Sequence, residues 1–264
     1  MSRTSILLGL VLVLLGAFMF ADAAGVRLPN GTSPLEFFWP VLLLMSGLAL
    51  LLRTIFRRKL QVEKASIDLQ GAATAHLRIN HGAGKLKIHK GAASGVLLNG
   101  SFTGGLRQAV RRTGAQLEVR LRPAGDWLGI PFLDAGEPLN WDVSLNPDVP
   151  LELDLDSGAD QAEIDLRDLR VTTLSLDIGA SATRLVLPAR GRLTADVDIG
   201  AASMDVTVPP GVAARIKIDH GASDVKVDPR FPRVGGVYKS PEFESAANAV
   251  DLDIDAGAAQ IKIH

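Results

Sequence analysis

The segment LSLDIGASATRLVLP, residues 174–188, contains the pattern that decides the fold of this chain. Apolar and polar residues alternate on both sides of an Asp-x-Gly-Ala sequence, in which x is any residue. Alternation with a period of two is typical of β-strands that bury one face. The segment is therefore predicted to form a strand, a tight turn and a second strand.

Relatives of this segment recur at a regular interval along the chain. The shared glycine falls every 21 residues at four positions, Gly158, Gly179, Gly200 and Gly221. Gly257 follows 36 residues after Gly221, which equals one repeat plus an insertion of 15 residues, and the upstream sequence INHGAGKLKIH begins a similar unit. A constant repeat of this length is typical of architectures in which each unit stacks on the next. We therefore predict a β-solenoid-like stack with repeats of about 21 residues.

The same alignment predicts the core of the stack. One apolar column consists of Leu155, Leu176, Val197 and Ile218. Stacked units place their strands about 4.8 Å apart and bury such a column on one side. Because each buried aliphatic side chain contributes about 1.5–3 kcal/mol, the apolar columns explain the repeat without any function.

An acidic column stands two residues before the repeated glycine, at Asp156, Asp177, Asp198, Asp219 and Asp255. Asn80 takes this place in the upstream unit. Both side chains can accept a backbone N–H and close an Asx turn, after which glycine adopts a backbone conformation that other residues resist. We therefore interpret these Asp and Gly residues as a structural turn motif. The alternative is a ladder of metal ligands, although the nine-residue repeat of Ca²⁺-binding solenoids is absent.

Two charge-free apolar runs, residues 4–21 and 37–52, open the chain. They predict a two-pass transmembrane helical hairpin, although both are short for a bilayer of about 30 Å. The basic residues after the second run, Arg53, Arg57, Arg58 and Lys59, predict that both ends and the β domain are cytoplasmic. Two alternatives are a pair of helices buried in a soluble core, and a signal peptide cleaved near the sequence ADA at residues 21–23.

Three regions follow from these patterns: a two-helix transmembrane region at 1–60, an irregular β region at 61–150 and the regular β repeats at 151–264. We expect residues 61–150 to cap the repeats and to form one β domain with them. Within this region, the segment that holds Trp127 and Trp141 is interpreted as the cap, with a docking surface as the alternative. A basic group is interpreted as a solvated strand face or as a contact with anionic lipid. Its members are Arg107, Arg111, Arg112, Arg120 and Arg122.

Composition and motifs argue against several functions. The net charge of -1 gives no electrostatic case for nucleic acid, and the absence of cysteine excludes disulfides and thiolate chemistry. His81 and His220 occupy a variable position of the repeat, and His76, His89 and His264 lack the spacing of metal ligands. Since no nucleophile or nucleotide motif is present, we predict no enzymatic activity and no catalytic, cofactor or metal residues.

The chain resembles LiaF-like bacterial membrane proteins. The run FFWPVLLLMSGLALLL resembles the transmembrane region of LiaI/LiaF-like proteins, and residues 139–188, which begin LNWDVSLNPDVP, resemble their C-terminal domain. That domain is also called toastrack and is related to adhesin-type β domains. The resemblance implies a non-enzymatic regulator of cell-envelope stress signalling in the bacterial cell membrane, and the best-known type restrains a sensor histidine kinase.

Three functions remain open at this stage. In the first, a membrane-anchored regulator contacts the bilayer, a membrane protein partner such as a sensor kinase, or a second copy of itself. In the second, the β domain is an adhesin-like or structural module outside the cell. In the third, the stack is a carbohydrate-active β-helix enzyme, which would need acids clustered outside the repeat.

Overall fold

The computed structural model describes Val13, residues 15–25, Ser33, Glu36, residues 39–44, Gly47, and residues 61–124 and 139–264. The chain divides into two compact units. In the first unit, residues 15–23 and 39–44 are helical. None of the helices formed by described residues combines the length and the hydropathy needed to cross a bilayer. Most of the two apolar runs that predict the hairpin lies outside the described residues.

The second unit is an all-β domain with 17 strands in its described residues. In chain order, they are β1 (Val62–Asp68), β2 (Thr74–Lys90), β3 (Val96–Thr103), β4 (Leu106–Thr113), β5 (Gln116–Pro123), β6 (Leu139–Leu145), β7 (Pro150–Asp165), β8 (Arg170–Ile178), β9 (Ala182–Val186), β10 (Arg192–Ile199), β11 (Ser203–Thr207), β12 (Ala213–His220), β13 (Asp224–Val227), β14 (Arg233–Val234), β15 (Val237–Lys239), β16 (Ala249–Ala256) and β17 (Gln260–Ile263).

Each repeat contributes one strand to each of two layers. The first layer contains β4, β5, the first half of β2, the first half of β7, β8, β10, β16 and β12. The second layer contains β1, β3, β6, the remaining halves of β2 and β7, β9, β11, β17 and β13. Strands β2 and β7 run unbroken from one layer to the other, so the Gly-Ala sequence bends a strand there instead of forming a separate turn.

The order of the units in space differs from their order in the chain. β16 pairs in parallel with both β10 and β12, and β17 pairs with both β11 and β13. The last unit of the sequence therefore lies between the two units that precede it, and the prediction that each unit stacks on the next is wrong at this point. The insertion supplies the necessary chain length, because it carries β14 and β15 along the outer edge of β12 before β16 begins.

The predicted apolar columns form one core between the layers. Leu155, Leu176 and Val197 are each 2% exposed, as alternation requires. Ile218 is only half-buried, because its strand β12 belongs to the outermost unit. The layers have two long edges, which we name by their chain features. The corner edge carries the Gly-Ala bends, and the connection edge carries the segments that join one unit to the next.

The irregular region closes the other end of the stack. Trp141 of β6 is 1% exposed and makes edge-on ring contacts with Phe102 at 5.1 Å and His81 at 5.3 Å between centroids. Trp141 is therefore part of the core and not of a docking surface, while Trp127 lies outside the described residues. Strand β4 forms a hairpin with β5, and every residue of β4 after Leu106 is exposed.

Candidate functional site

The acidic column forms a continuous ladder on the outer surface of the first layer. The strand registers place Asn80 beside Asp156, and the following carboxylates stand one strand apart in the order Asp156, Asp177, Asp198, Asp255 and Asp219. All five carboxylates are exposed. We call this row the carboxylate ladder. Because neighbouring strands are about 4.8 Å apart, adjacent carboxylates repel each other.

The contacts of the carboxylate ladder do not match an Asx turn. Asp156 accepts a hydrogen bond from the Asn80 amide at 2.8 Å, and Asp219 pairs with Lys217 at 2.7 Å. In the part of the chain that the structure describes, no backbone N–H donates to the carboxylates of the other three members. The Asx-turn explanation is therefore wrong for the members Asp177, Asp198 and Asp255. Their position is set by strand register, which leaves the side chains in solvent.

Close backbone packing explains the repeated glycine. At Gly179 the bend brings the carbonyl oxygen of Gly158 so near that an added Cβ would lie 2.7 Å from it. The same oxygen accepts the N–H of Ala180 at 2.8 Å, which fixes the spacing between the two units. None of the five repeat glycines has a positive φ, so the predicted special backbone conformation is wrong. Glycine is needed because a side chain would separate the stacked bends.

The metal alternative receives no geometric support. Among the described residues, no group of three or more His, Asp or Glu side chains is placed to hold a metal ion. In the ladder, each carboxylate comes from a separate strand and points outward, so successive members form a row instead of converging on one point. The arrangement presents negative charge along a surface.

Positive charges flank the carboxylate ladder on the same surface, which we call the charged face. On one side lies the arginine hairpin, defined as β4 and β5 with the exposed Arg107, Arg111, Arg120 and Arg122. On the other side, Arg215 binds Asp251, and Lys217 lies 3.3 Å from Asp253. The charged face is therefore banded, with an acidic centre between the arginine hairpin and β12, on which Arg215 and Lys217 stand beside Asp219.

Asp154 lies on β7, at the end of the acidic centre that is nearer to the arginine hairpin. Its carboxylate accepts a hydrogen bond from Arg78 at 2.8 Å and lies 2.9 Å from Nε2 of His76. Partial burial would raise the pKa of Asp154, but the hydrogen bonds from Arg78 and His76 outweigh it and lower the pKa below its ordinary value of 3.8. The ionised form of Asp154 is therefore favoured, and its negative charge is kept in contact with Arg78.

A His–Asp pair on the outside of the second layer was not visible in the sequence, because its members are 53 residues apart. Nε2 of His89 lies 2.8 Å from Asp142, and Nδ1 lies 2.6 Å from the Lys90 carbonyl oxygen. Ser144 is the strand neighbour of His89. Since oxygen acceptors already occupy both ring nitrogens, this histidine is not placed to take a proton from the serine hydroxyl.

The other histidines do not form a reaction centre either. His81 is buried beside Trp141, with Nε2 3.0 Å from the Leu139 carbonyl oxygen. His220 is exposed, and its Nδ1 lies 3.3 Å from the carbonyl oxygen of Gly221. His264 lies 3.6 Å from Asp205. Each histidine thus sits in a different environment, and His81 and His220, which share a repeat position, have different neighbours.

A basic cleft at the connection edge was also missed. Its guanidinium groups belong to Arg167 and Arg190, which lie in the β7–β8 and β9–β10 connections, and to Arg170 and Arg192, the first residues of β8 and β10. The corresponding sequences, DLRDLR and PARGR, carry the signal, since each places two arginines within four residues. In the sequence these segments are recognisable only as connections, because strand pairing decides which of them become neighbours.

The described β domain is therefore a stack of repeated β units with charged side chains on its exposed surfaces. The chain belongs to the Toast_rack_N family, the N-terminal domain of toast_rack (DUF2154), which matches residues 56–208. This finding confirms the toastrack part of the predicted resemblance, whereas the LiaF-like membrane region is not covered by it. The family description names no enzymatic activity.

The chain aligns over most of its length with solved structures, of which two are described. A candidate cell adhesion protein from Clostridium sporogenes matches with a TM-score of 0.69 and 22% identity, over 78% of this chain and 99% of the other. A candidate adhesin from Bacteroides fragilis covers 77% of this chain and 97% of its own, but its TM-score of 0.29 at 8% identity carries no argument. No curated protein matches the chain. The first similarity supports the fold alone.

Proposed function

We propose that this chain is a non-enzymatic, membrane-anchored regulator of cell-envelope stress signalling, similar to LiaF, that acts by protein–protein contact through the charged face. The observation that carries the proposal is the band of charge on the first layer. Arg111, Arg120 and Arg122 are exposed, and no carboxylate of the described residues forms an ion pair with them. Exposed charges of both signs on one surface favour steering and selection of a complementary partner.

Anchoring follows from the apolar runs at residues 4–21 and 37–52. The chain enters the β domain at Gln61, whose carbonyl oxygen accepts the N–H of Gly104 at 3.1 Å. Gly104 lies two residues before the arginine hairpin, so this part of the charged face begins beside Gln61. In this proposal the bilayer holds the domain near a membrane protein, and confinement raises the effective concentration for a weak contact. A sensor histidine kinase is the proposed partner, and self-association is an alternative contact.

The test is complementation of a deletion strain that carries a transcriptional reporter of envelope stress. The full chain should restore the response, whereas residues 61–264 expressed alone should not. The triple change Arg111→Glu, Arg120→Glu and Arg122→Glu should abolish regulation in the full chain. Arg184→Glu is the matched control, because Arg184 is exposed on the opposite layer, and it should retain regulation.

Each outcome bears on the proposal. Restoration by the isolated β domain would remove the requirement for anchoring. Full activity of the triple variant, with unchanged protein level and unfolding temperature, would remove the charged face as the contact surface.

The second candidate is an adhesin-like surface module. It is favoured by the fold similarity to the candidate cell adhesion protein of C. sporogenes. This function needs the β domain outside the cell, and the chain contains no cysteine, so a single introduced thiol reports location. In the regulator, Ser175→Cys on the charged face should resist a membrane-impermeant thiol reagent in intact cells, while Thr32→Cys, between the apolar runs, should react. Rapid labelling at residue 175 would favour the adhesin-like function.

A further inference from the structure

A cleft of about 590 Å³ at the connection edge has an excess of positive charge. Its walls come from three connections, β6–β7, β7–β8 and β9–β10, and from the first residues of the strands that follow them. Four guanidinium groups face two carboxylates, Asp148 and Asp168, in its lining. The volume lies within the range of about 300–1,000 Å³ that is usual for small-molecule sites.

Two of the guanidinium groups are held in place by the fold. Arg170 donates a hydrogen bond to the Asp148 carbonyl oxygen at 3.0 Å. Arg192 donates to the Ala246 carbonyl oxygen at 2.9 Å, and its guanidinium lies 5.4 Å from the centre of the Phe243 ring. Since an arginine carries five N–H donors, each of these contacts leaves other donors for a ligand. Their positions are therefore largely set before any ligand binds.

The other two guanidinium groups belong to Arg167 and Arg190, and the nearby carboxylate of Asp168 is already paired with a lysine. Asp168 forms an ion pair with Lys90 at 2.5 Å. The hydrogen bond from Lys90 lowers the pKa of Asp168, and the charges of Arg167 and Arg190 lower it further. Neither arginine has a carboxylate within ion-pair distance among the described residues. Both remain able to bind an external anion.

We propose that this arginine cleft binds a small phosphate-bearing ligand. Guanidinium groups match the geometry of phosphate oxygens through paired N–H donors. The excess of two positive charges in the lining suits a dianion such as a phosphate monoester or a diphosphate. Because the cleft is much larger than one phosphate group, the ligand is a phosphate joined to a second phosphate or to an organic group.

The phosphate could come from solution or from a lipid headgroup, and the fold favours solution. Gln61 lies at the corner edge, beside Gly104, whereas the cleft lies at the opposite edge. The seven-residue strand β6, which runs between the two edges, is about 20 Å long at about 3.3 Å per residue. The cleft is thus about a strand length from the residue at which the chain enters the β domain. This choice of source rests on the proposed anchoring, whereas the chemistry of the cleft does not.

The test is titration calorimetry on the purified full chain in a neutral detergent, with inorganic pyrophosphate as the probe. Arg167→Gln combined with Arg190→Gln should weaken pyrophosphate binding at least tenfold. The matched control combines Arg184→Gln with Arg233→Gln, which removes two exposed arginines outside both the cleft and the charged face and should leave the affinity within twofold of the natural chain. Phosphatidylglycerol added to the micelles should not compete with pyrophosphate.

Three results would overturn parts of the proposal. Absence of pyrophosphate binding at millimolar concentration, or equal losses in both double variants, would eliminate a phosphate site in the cleft. Competition by phosphatidylglycerol that disappears in the Arg167 and Arg190 double variant would assign the cleft to a lipid headgroup and reject the solution source. Failure of the stress reporter experiment would leave the calorimetric result intact, so the two proposals fail separately.

Discussion

Gly221 packs against Gly257, although the two residues are 36 positions apart. A Cβ on Gly221 would lie 3.0 Å from the carbonyl oxygen of Gly257, and the N–H of Gly221 donates to the Ala256 carbonyl oxygen at 2.9 Å. Gly257 in turn packs against Gly200, with a corresponding separation of 2.9 Å. The final unit of the chain is thus enclosed by two others, and its strands β16 and β17 have a hydrogen-bonded neighbour on each side.

This order can be tested by disulfide formation in the cysteine-free chain. Asp196 and Asp253 are partners in neighbouring strands, so Asp196→Cys combined with Asp253→Cys should oxidise readily. Asp196→Cys with Lys217→Cys should not, because β16 lies between β10 and β12 and separates the Cα atoms by about two strand spacings, near 9.6 Å. Non-reducing electrophoresis and mass spectrometry measure the crosslink. A crosslink between positions 196 and 217, with none between 196 and 253, would indicate that the units stack in chain order.

Alanine at the bends should destabilise the domain, and the loss should be larger where the added Cβ lies closer to a backbone oxygen of the neighbouring unit. Gly179→Ala should reduce the free energy of unfolding by about 1–3 kcal/mol, because its Cβ would meet a backbone oxygen at 2.7 Å. Gly158→Ala should cost less, since the corresponding distance is 3.2 Å. Chemical denaturation of both variants gives the comparison. Equal effects would show that close packing does not control glycine usage at these bends.

Neutralising the centre of the carboxylate ladder should not weaken the fold. Asp177→Asn removes one of several neighbouring negative charges and breaks no hydrogen bond with a described residue. We expect a small gain in stability, of a few tenths of a kcal/mol, at low salt and almost none at high salt, because salt screens exposed charges. Thermal unfolding at two ionic strengths measures it. A loss of about 1 kcal/mol would instead indicate that this carboxylate makes a structural hydrogen bond.

Asp154 should make stability depend on acid pH. Its pKa is lower in the folded chain than its ordinary value of 3.8, because the hydrogen bonds from Arg78 and His76 outweigh the effect of partial burial. The ionised carboxylate therefore stabilises the fold above about pH 3.8, and this contribution disappears as the pH falls through the lowered pKa.

Asp154→Asn should consequently reduce stability at pH 6 by about 0.5–1 kcal/mol, with a smaller difference from the natural chain at pH 2.5. Urea denaturation at the two pH values tests this expectation. Asp177→Asn provides the control, since the ladder carboxylate lacks the two hydrogen-bond donors of Asp154. A difference between Asp154→Asn and the natural chain that does not change with pH would contradict the prediction.

Much of the β domain was predictable from short-range patterns. The alternation in LSLDIGASATRLVLP indicated strands, and the 21-residue repeat indicated stacked units with shared apolar columns. These features depend on the two-residue period of a strand and on the burial of one face, both of which are visible in a single sequence. The predicted membrane hairpin and the cytoplasmic location of the β domain remain predictions.

The sequence by itself determined which residues form strands, which face of each strand is buried and where the bends occur. Only the tertiary structure decided that Gly257 lies between Gly200 and Gly221, because the exposed edge of one unit can accept any unit with a matching register. It also decided that the repeated glycine serves close packing, since the neighbouring carbonyl belongs to another repeat. The arginine cleft and the charged face arise in the same way, from residues that are distant in sequence and are brought together by strand pairing.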